Sequence, residues 1–311
     1  MRHLATALFA CTVLHAPAAE VGWLPRWKTN DTASYEVERC RKSNAPGKPV
    51  NACLKGQLEI EVLRADSKGS LQRWRSNAIV DELTGSGLPA EAAAALGEAS
   101  SLALDIEFDD VAQPIRLVNA TEVRVLLDKT TDALTAATAD DKALDPKLVA
   151  GVKALMSHLT STDERLLAMV SRDVGILYSP LGGSFTVGET VSIPSSIPSP
   201  FGTAPLRSTI AVTTSLAKPD GAELELQLAE DIDRAGLLEV MDEMLKPLIQ
   251  ATDKPEAAAE MKRAMSSVII QRFTTYKVVP DDAWASHVYW RETIEVGSRQ
   301  RVTTLTFKRT R

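Results

Sequence analysis

Leu58-Glu59-Ile60-Glu61-Val62 sets three aliphatic side chains on one side of an extended chain and two carboxylates on the other. Leu104-Asp105-Ile106-Glu107-Phe108 and Leu224-Glu225-Leu226-Gln227-Leu228 repeat the pattern, as does Thr293-Ile294-Glu295-Val296. Period two is the signature of antiparallel strands with one face on a core and the other in water. Outward from these stretches, strands are predicted over residues 32–40, 70–80, 113–118, 206–216, 267–279, 284–296 and 300–309. Lys218-Pro219-Asp220-Gly221 and Gly297-Ser298 supply hairpin turns between neighbours.

A different period fills the gaps. A helix is expected after Asn119, capped by Thr121 and carrying Val123, Leu126, Leu127 and Leu134. Asp145-Pro146 opens a second through Leu148, Val152, Leu155 and Leu159, proline being suited to a first turn. Asp163 is expected to cap a third through Leu166, Leu167 and Val170, and the Ala-rich run 90–96 reads as a short helix. In the C-terminal half, Asp231 is expected to open a helix with Leu237, Met241, Met244, Leu245 and Leu248 on one stripe. Pro255 begins another through Met261 and Met265. Residues 193–206 are proline-rich and read as an extended connection.

The fold class that follows is α+β: curved antiparallel sheets, half-barrel-like, packed against inserted helices. The expected division is a leader, 1–19, then a half at 20–175 with a disulfide hairpin, and a second half at 176–311. Two tandem copies are suggested by one gapless match. Trp27-Lys-Thr-Asn-Asp-Thr32-Ala-Ser-Tyr35 lies over Phe185-Thr-Val-Gly-Glu-Thr190-Val-Ser-Ile193. An aromatic leads, Asn or Gly precedes an acid, and Thr and Ser recur in step.

Met1-Arg2, the apolar run from Leu4 to Leu14 and Ala16-Pro17-Ala18 read together as a secretory signal peptide, with Glu20 opening the mature chain. The expected compartment is the periplasm or the extracellular space. An alternative reading takes Leu8-Phe9-Ala10-Cys11 as a lipoprotein processing site that leaves a lipid anchor on Cys11. With Cys11 removed, Cys40 and Cys53 remain, flanking the turn-rich Asn44-Ala45-Pro46-Gly47-Lys48-Pro49. In an oxidising compartment they are expected to staple a hairpin, worth roughly 3 kcal/mol on a chain-entropy argument.

The chain carries 35 Lys and Arg against 41 Asp and Glu, a net charge of −6, which argues against nucleic acid as a partner. No run approaches the length of a membrane span. No zinc spacing, EF-hand ligand series or phosphate-cradling glycine loop occurs, so no metal and no cofactor is expected. His158 and His287 are the histidines outside the leader, and both read as structural. Gly182-Gly183-Ser184 reads as a turn before a strand, and Ser215-Leu-Ala-Lys218 falls on a strand, where its spacing brings no lysine over a serine. Asp109-Asp110, Asp140-Asp141 and Asp281-Asp282 read as strand ends or loop residues, and no catalytic residue is assigned.

Met241, Met244, Leu245, Leu248, Met261 and Met265 are the candidate ligand-binding set, because thioethers conform to irregular apolar partners. Their alternative role is ordinary helix-on-sheet packing. The layout of long antiparallel strands interrupted by helices after a signal peptide resembles the curved half-barrel of LolA-type lipoprotein carriers. The resemblance is one of fold and rests on no matched motif residue; it implies the architecture and lipid handling. The functional expectation is a non-enzymatic periplasmic or envelope-associated protein holding an apolar or lipid-like ligand between sheet and helices. Two alternatives stand beside it. One is a structural or protein-interaction module of the envelope, using sheet edges or an aromatic face near Trp284, Tyr289 and Trp290. The other is a hydrolase with a non-standard site.

Overall fold

In the computed structural model the described residues are 20–44, 50–78, 94–95, 97–98, 101–139, 146–197, 206–218, 222–251, 256, 259, 263–264 and 266–311. Their strands are β1 (Glu20–Trp23), β2 (Thr32–Ser43), β3 (Val50–Asp66), β4 (Gly69–Ala78), β5 (Leu104–Phe108) and β6 (Pro114–Leu117). After them come helices α1 (Ala120–Ala139), α2 (Pro146–Leu159), α3 (Asp163–Val170) and α4 (Arg172–Tyr178). The second half holds β7 (Gly183–Thr186), β8 (Thr190–Ile197), β9 (Leu206–Leu216), β10 (Leu224–Ile232), α5 (Arg234–Ala251), β11 (Val268–Val278), β12 (His287–Val296) and β13 (Arg299–Arg309).

Eleven strands form one open antiparallel sheet in the order β6-β5-β4-β3-β2-β13-β12-β11-β10-β9-β8. It is two meanders joined where the C-terminal strand β13 pairs with β2, from Arg309↔Tyr35 to Arg301↔Ser43. β1 and β7 make a separate two-stranded sheet. The two edges, β6 and β8, carry Pro114 and Pro194, residues that suit an edge because they offer no ladder N–H. The α+β expectation of curved antiparallel sheet with inserted helices holds.

The nine-residue match between the halves is also a match of geometry. Asn30 and Gly188 both adopt positive φ, 72° and 86°. Asn30 N donates to Val62 O and Val62 N to Asp31 O; Gly188 N donates to Thr214 O and Thr214 N to Glu189 O. In each copy a left-handed residue turns the chain into a strand, β2 or β8, and ties that turn to the next strand of its meander. Gly and Asn are the residues that tolerate this backbone.

Local differences from the sequence reading have simple causes. α3 is capped by Thr162, whose hydroxyl accepts from Arg165 N, with Asp163 the first helical residue. β10 runs on through Asp231 to Ile232, and Asp233 caps α5 by accepting from Ala235 N and Gly236 N. The segment expected to be an extended connection contributes β8, legible in outline from Val191 and Ile193 but masked by Pro194. The four-residue strands β1 and β7 and the seven-residue α4 are too short to show a period. Cys40 and Cys53 are register partners on β2 and β3 and are disulfide-bonded, as the turn composition between them implies.

The main core lies on the concave face of the sheet, and α4 fills it. Val174, Ile176, Leu177 and Tyr178 are all buried, so this helix is apolar nearly all round and is swallowed. Tyr178 is the hub, with ring centroids at 5.0 Å from Trp27, 5.3 Å from Trp74, 5.6 Å from Phe108 and 6.2 Å from Trp284. Its hydroxyl donates to Gln72 Oε1 at 2.9 Å, and Trp74 Nε1 donates to the same oxygen at 3.2 Å. Gln72 Nε2 in turn donates to Ser70 Oγ. Tyr276 OH donates to Ile176 O, tying the plug to β11, and Trp23 Nε1 donates to Asp282 O, tying β1 to the β11–β12 loop.

Tyr178→Phe removes one hydrogen bond and should cost about 1 kcal/mol. Gln72→Ala strands two buried donors and should cost roughly 2–5 kcal/mol, measured by denaturant unfolding. Equal costs for the two variants would show that the amide is not the shared acceptor.

Candidate functional site

The register of the sheet arranges its concave face in rows, because residues directly opposite on neighbouring strands share a side. Beside the α4 plug runs a row of Thr303, Glu292, Arg272, Glu230 and Ile210 on β13, β12, β11, β10 and β9. The next row holds Arg301, Ile294 and Ile270, and the one beyond it Arg299, Val296 and Val268. A charged row therefore separates the aromatic core from a second, apolar strip.

The charged row is an ion network. Arg272 Nε reaches Glu292 Oε2 at 3.0 Å and its Nη1 reaches Glu230 Oε2 at 3.3 Å. The side chains of Glu292 and Glu230 are only 8% and 12% exposed, so both need this pairing. Arg172, on the first turn of α4, lies 3.7 Å from Glu292 and stacks its guanidinium 4.8 Å over the Trp290 ring. Burial pulls the Arg172 pKa below its ordinary value, against the pull of Glu292. Asp173 beside it takes both oxygens to Arg39 Nη2, at 2.7 and 2.9 Å. The polar head of α4 thus joins the sheet's ion row while its apolar remainder fills the core.

The apolar strip is a cluster of its own, Leu206, Ile232, Leu237 and Val268, with Met241, Ile270, Ile294 and Val296 partly buried against it. α5 covers it through Leu237 and Met241. Val191 and Ile193 of β8, opposite Val212 and Ile210, continue the main-core row and the ion row to the sheet edge at 43% exposure each. Three buried polar atoms bordering the strip have no hydrogen-bond partner: Ser208 Oγ, Glu230 Oε1 and Arg301 Nε. Two hollows among the described residues lie elsewhere and are polar. One of about 190 Å³ is lined by Trp27, Asp66, Ser67 and Asp109, and one of about 240 Å³ surrounds the β12–β13 turn.

Of the candidate ligand-binding set, the structure places Met241 on this strip. Met244, Leu245 and Leu248 follow on α5, but their side chains, and Met261 and Met265 entirely, lie outside the described residues. The ion row was missed in the sequence, since Glu230, Arg272 and Glu292 are joined by register and not by spacing.

The remaining chemical candidates resolve into structure. Ser286 Oγ has its one proton between Glu223 Oε1 at 2.8 Å and Lys277 O at 3.0 Å, partners other than His287. Lys218 pairs with Glu223, not Ser215. Asp109 accepts from Val111 N and Gln113 N, and Asp282 holds Arg309. Asp140-Asp141 lies outside the described residues. Trp284 and Trp290 are buried, so the aromatic face expected there is not a surface. The cluster Glu38, Cys40 and Cys53 brings three potential ligand atoms together, but both sulfurs are spent in the disulfide.

No protein-family model matches the chain, and no curated protein does. Among solved structures, one of lipovitellin, described through its lipid–protein interactions, superimposes with a TM-score of 0.41 and 9% identity over 92% of this chain. The chain spans about a quarter, 26%, of that protein's length. At this level the likeness identifies neither a family nor a ligand, and the resemblance to LolA-type carriers gains no matching model. Among the described residues no helix is long and apolar enough to cross a membrane.

Glu292→Ala leaves Arg272 and Arg172 facing an emptied site and should cost roughly 3 kcal/mol in urea unfolding. The triple change Glu230→Met, Arg272→Met and Glu292→Met, which leaves no buried carboxylate without its cation, should recover most of that loss. His287 supplies a pH dependence. Burial, then Lys277 and Lys308 on either side of it, lowers its pKa. The stability linked to it is complete above the unfolded value and is lost as pH falls through the folded one. His287→Gln should therefore lose less Tm than the parent between about pH 7 and about pH 5.

Proposed function

We propose that this is an exported, non-enzymatic binding protein of the periplasm or cell envelope that holds an apolar, lipid-like ligand between the sheet and α5. The observation that carries the reading is the second apolar strip. Ile270, Ile294, Val296 and Val268 stand on the concave face outside the main core, partitioned from it by the ion row. A strip needed only for packing would merge with the core, whereas here charge is buried between them at a cost. Met241 supports the same reading, since a thioether in the cover adapts to a guest.

Export is supported by the sequence of residues 1–19 and by chemistry. The Cys40–Cys53 disulfide suits an oxidising compartment.

The test is binding of the neutral fluorophore N-phenyl-1-naphthylamine by purified protein. Saturable binding is expected, and Ile294→Asp should weaken it about tenfold or more, the order expected for placing a charge in an apolar contact. Leu54→Asp, on the same concave face but outside the strip, should leave it unchanged. Absence of saturable binding would remove the proposal.

A further inference from the structure

The strip is bordered on one side by cations without partners. Arg301 is directly opposite Ile294 and Arg299 opposite Val296, both on the concave face of β13. Arg41 on β2 stands opposite Thr303, at the end of the ion row. The other guanidiniums of this face are accounted for: Arg39 by Asp173, Arg272 by Glu230 and Glu292, and Arg172 by Glu292 and Trp290. Among the described residues Arg41, Arg299 and Arg301 have no ion pair, and Arg301 Nε is buried without any hydrogen-bond partner. In a chain of net charge −6, a cationic border on one strip is a local surplus of positive charge, and the buried Arg301 Nε is a donor that an anion would satisfy.

We infer that the ligand is an anionic amphiphile, a single-chain fatty carboxylate, with its chain on Ile270, Ile294 and Val296 under Met241 and its carboxylate on Arg301. This deepens the proposal of an apolar ligand and rests on it. The planar fork of arginine matches the two oxygens of a carboxylate, and its own geometry is fixed before binding. Arg41 and Arg299 hold the surrounding potential positive and favour the charged head without having to touch it.

The experiment is displacement of N-phenyl-1-naphthylamine by dodecanoate, by dodecanol and by lysophosphatidylglycerol. A charge-assisted pair to Arg301 should make dodecanoate roughly tenfold or more stronger than dodecanol. Arg301→Gln should abolish that preference and leave dodecanol unchanged, while Arg301→Lys keeps part of it. Matching circular dichroism and Tm across the variants exclude misfolding, which is not expected because Arg301 makes no ion pair. Equal competition by acid and alcohol, or no effect of Arg301→Gln, would overturn the headgroup assignment while apolar binding stood. Stronger competition by lysophosphatidylglycerol than by dodecanoate would overturn the carboxylate in favour of a phosphate head. Failure of every compound, with no fluorophore bound, would overturn the binding proposal itself.

Discussion

Tyr178 is the constraint on which the rest of the molecule depends. Its ring is in contact with four other aromatic rings, and its hydroxyl meets Gln72 in the middle of a sheet face with no water to replace that bond. Burial pushes its phenol pKa well up, so it stays a neutral donor at every pH the protein meets. Anchoring α4 there has two consequences. The concave side of the central strands is filled by the chain itself, and the first turn of α4 is held where Arg172 and Asp173 meet Glu292 and Arg39. The plug and the ion row are one device.

That device divides an unusually wide sheet. Burying Glu230 and Glu292 is costly, and the arginines paired with them return little net stability over an apolar filling. What the row does is keep two apolar regions apart. On one side lie aromatic rings packed against each other, which have no adaptable geometry. On the other lie aliphatic strand residues under a helix bearing methionine, bordered by Arg301. The first region suits a permanent core, and the second suits a guest.

The strands were legible because Leu58 to Val62, Leu104 to Phe108 and Leu224 to Leu228 alternate cleanly, and the hairpin staple was legible from turn residues between two cysteines. The match between the two turns was visible in nine residues because a left-handed turn position restricts what can stand there, hence Asn30 and Gly188. The ion row was harder to read. Glu230 continues the apolar phase of Leu224, Leu226 and Leu228 but is charged, so taken singly it marks the end of a strand's buried stretch. Only the register shows that it points inward beside Arg272. α4 escaped because seven residues are too few to show a helical period. Of the methionine set, the part now placed, Met241, could be picked out by its stripe with Leu237, but the partner surface on β11 and β12 could not.

The central claim, that the concave face has one filled half and one receptive half, is tested most directly by hydrogen exchange with and without saturating dodecanoate. The account expects slower exchange in α5 and in the Val268–Arg272 and Glu292–Val296 ends of β11 and β12 when ligand is present. It expects no change around Gln72, Trp74 and Tyr178, which are already sealed. Protection spread evenly over the sheet, or concentrated at the aromatic knot, would contradict it.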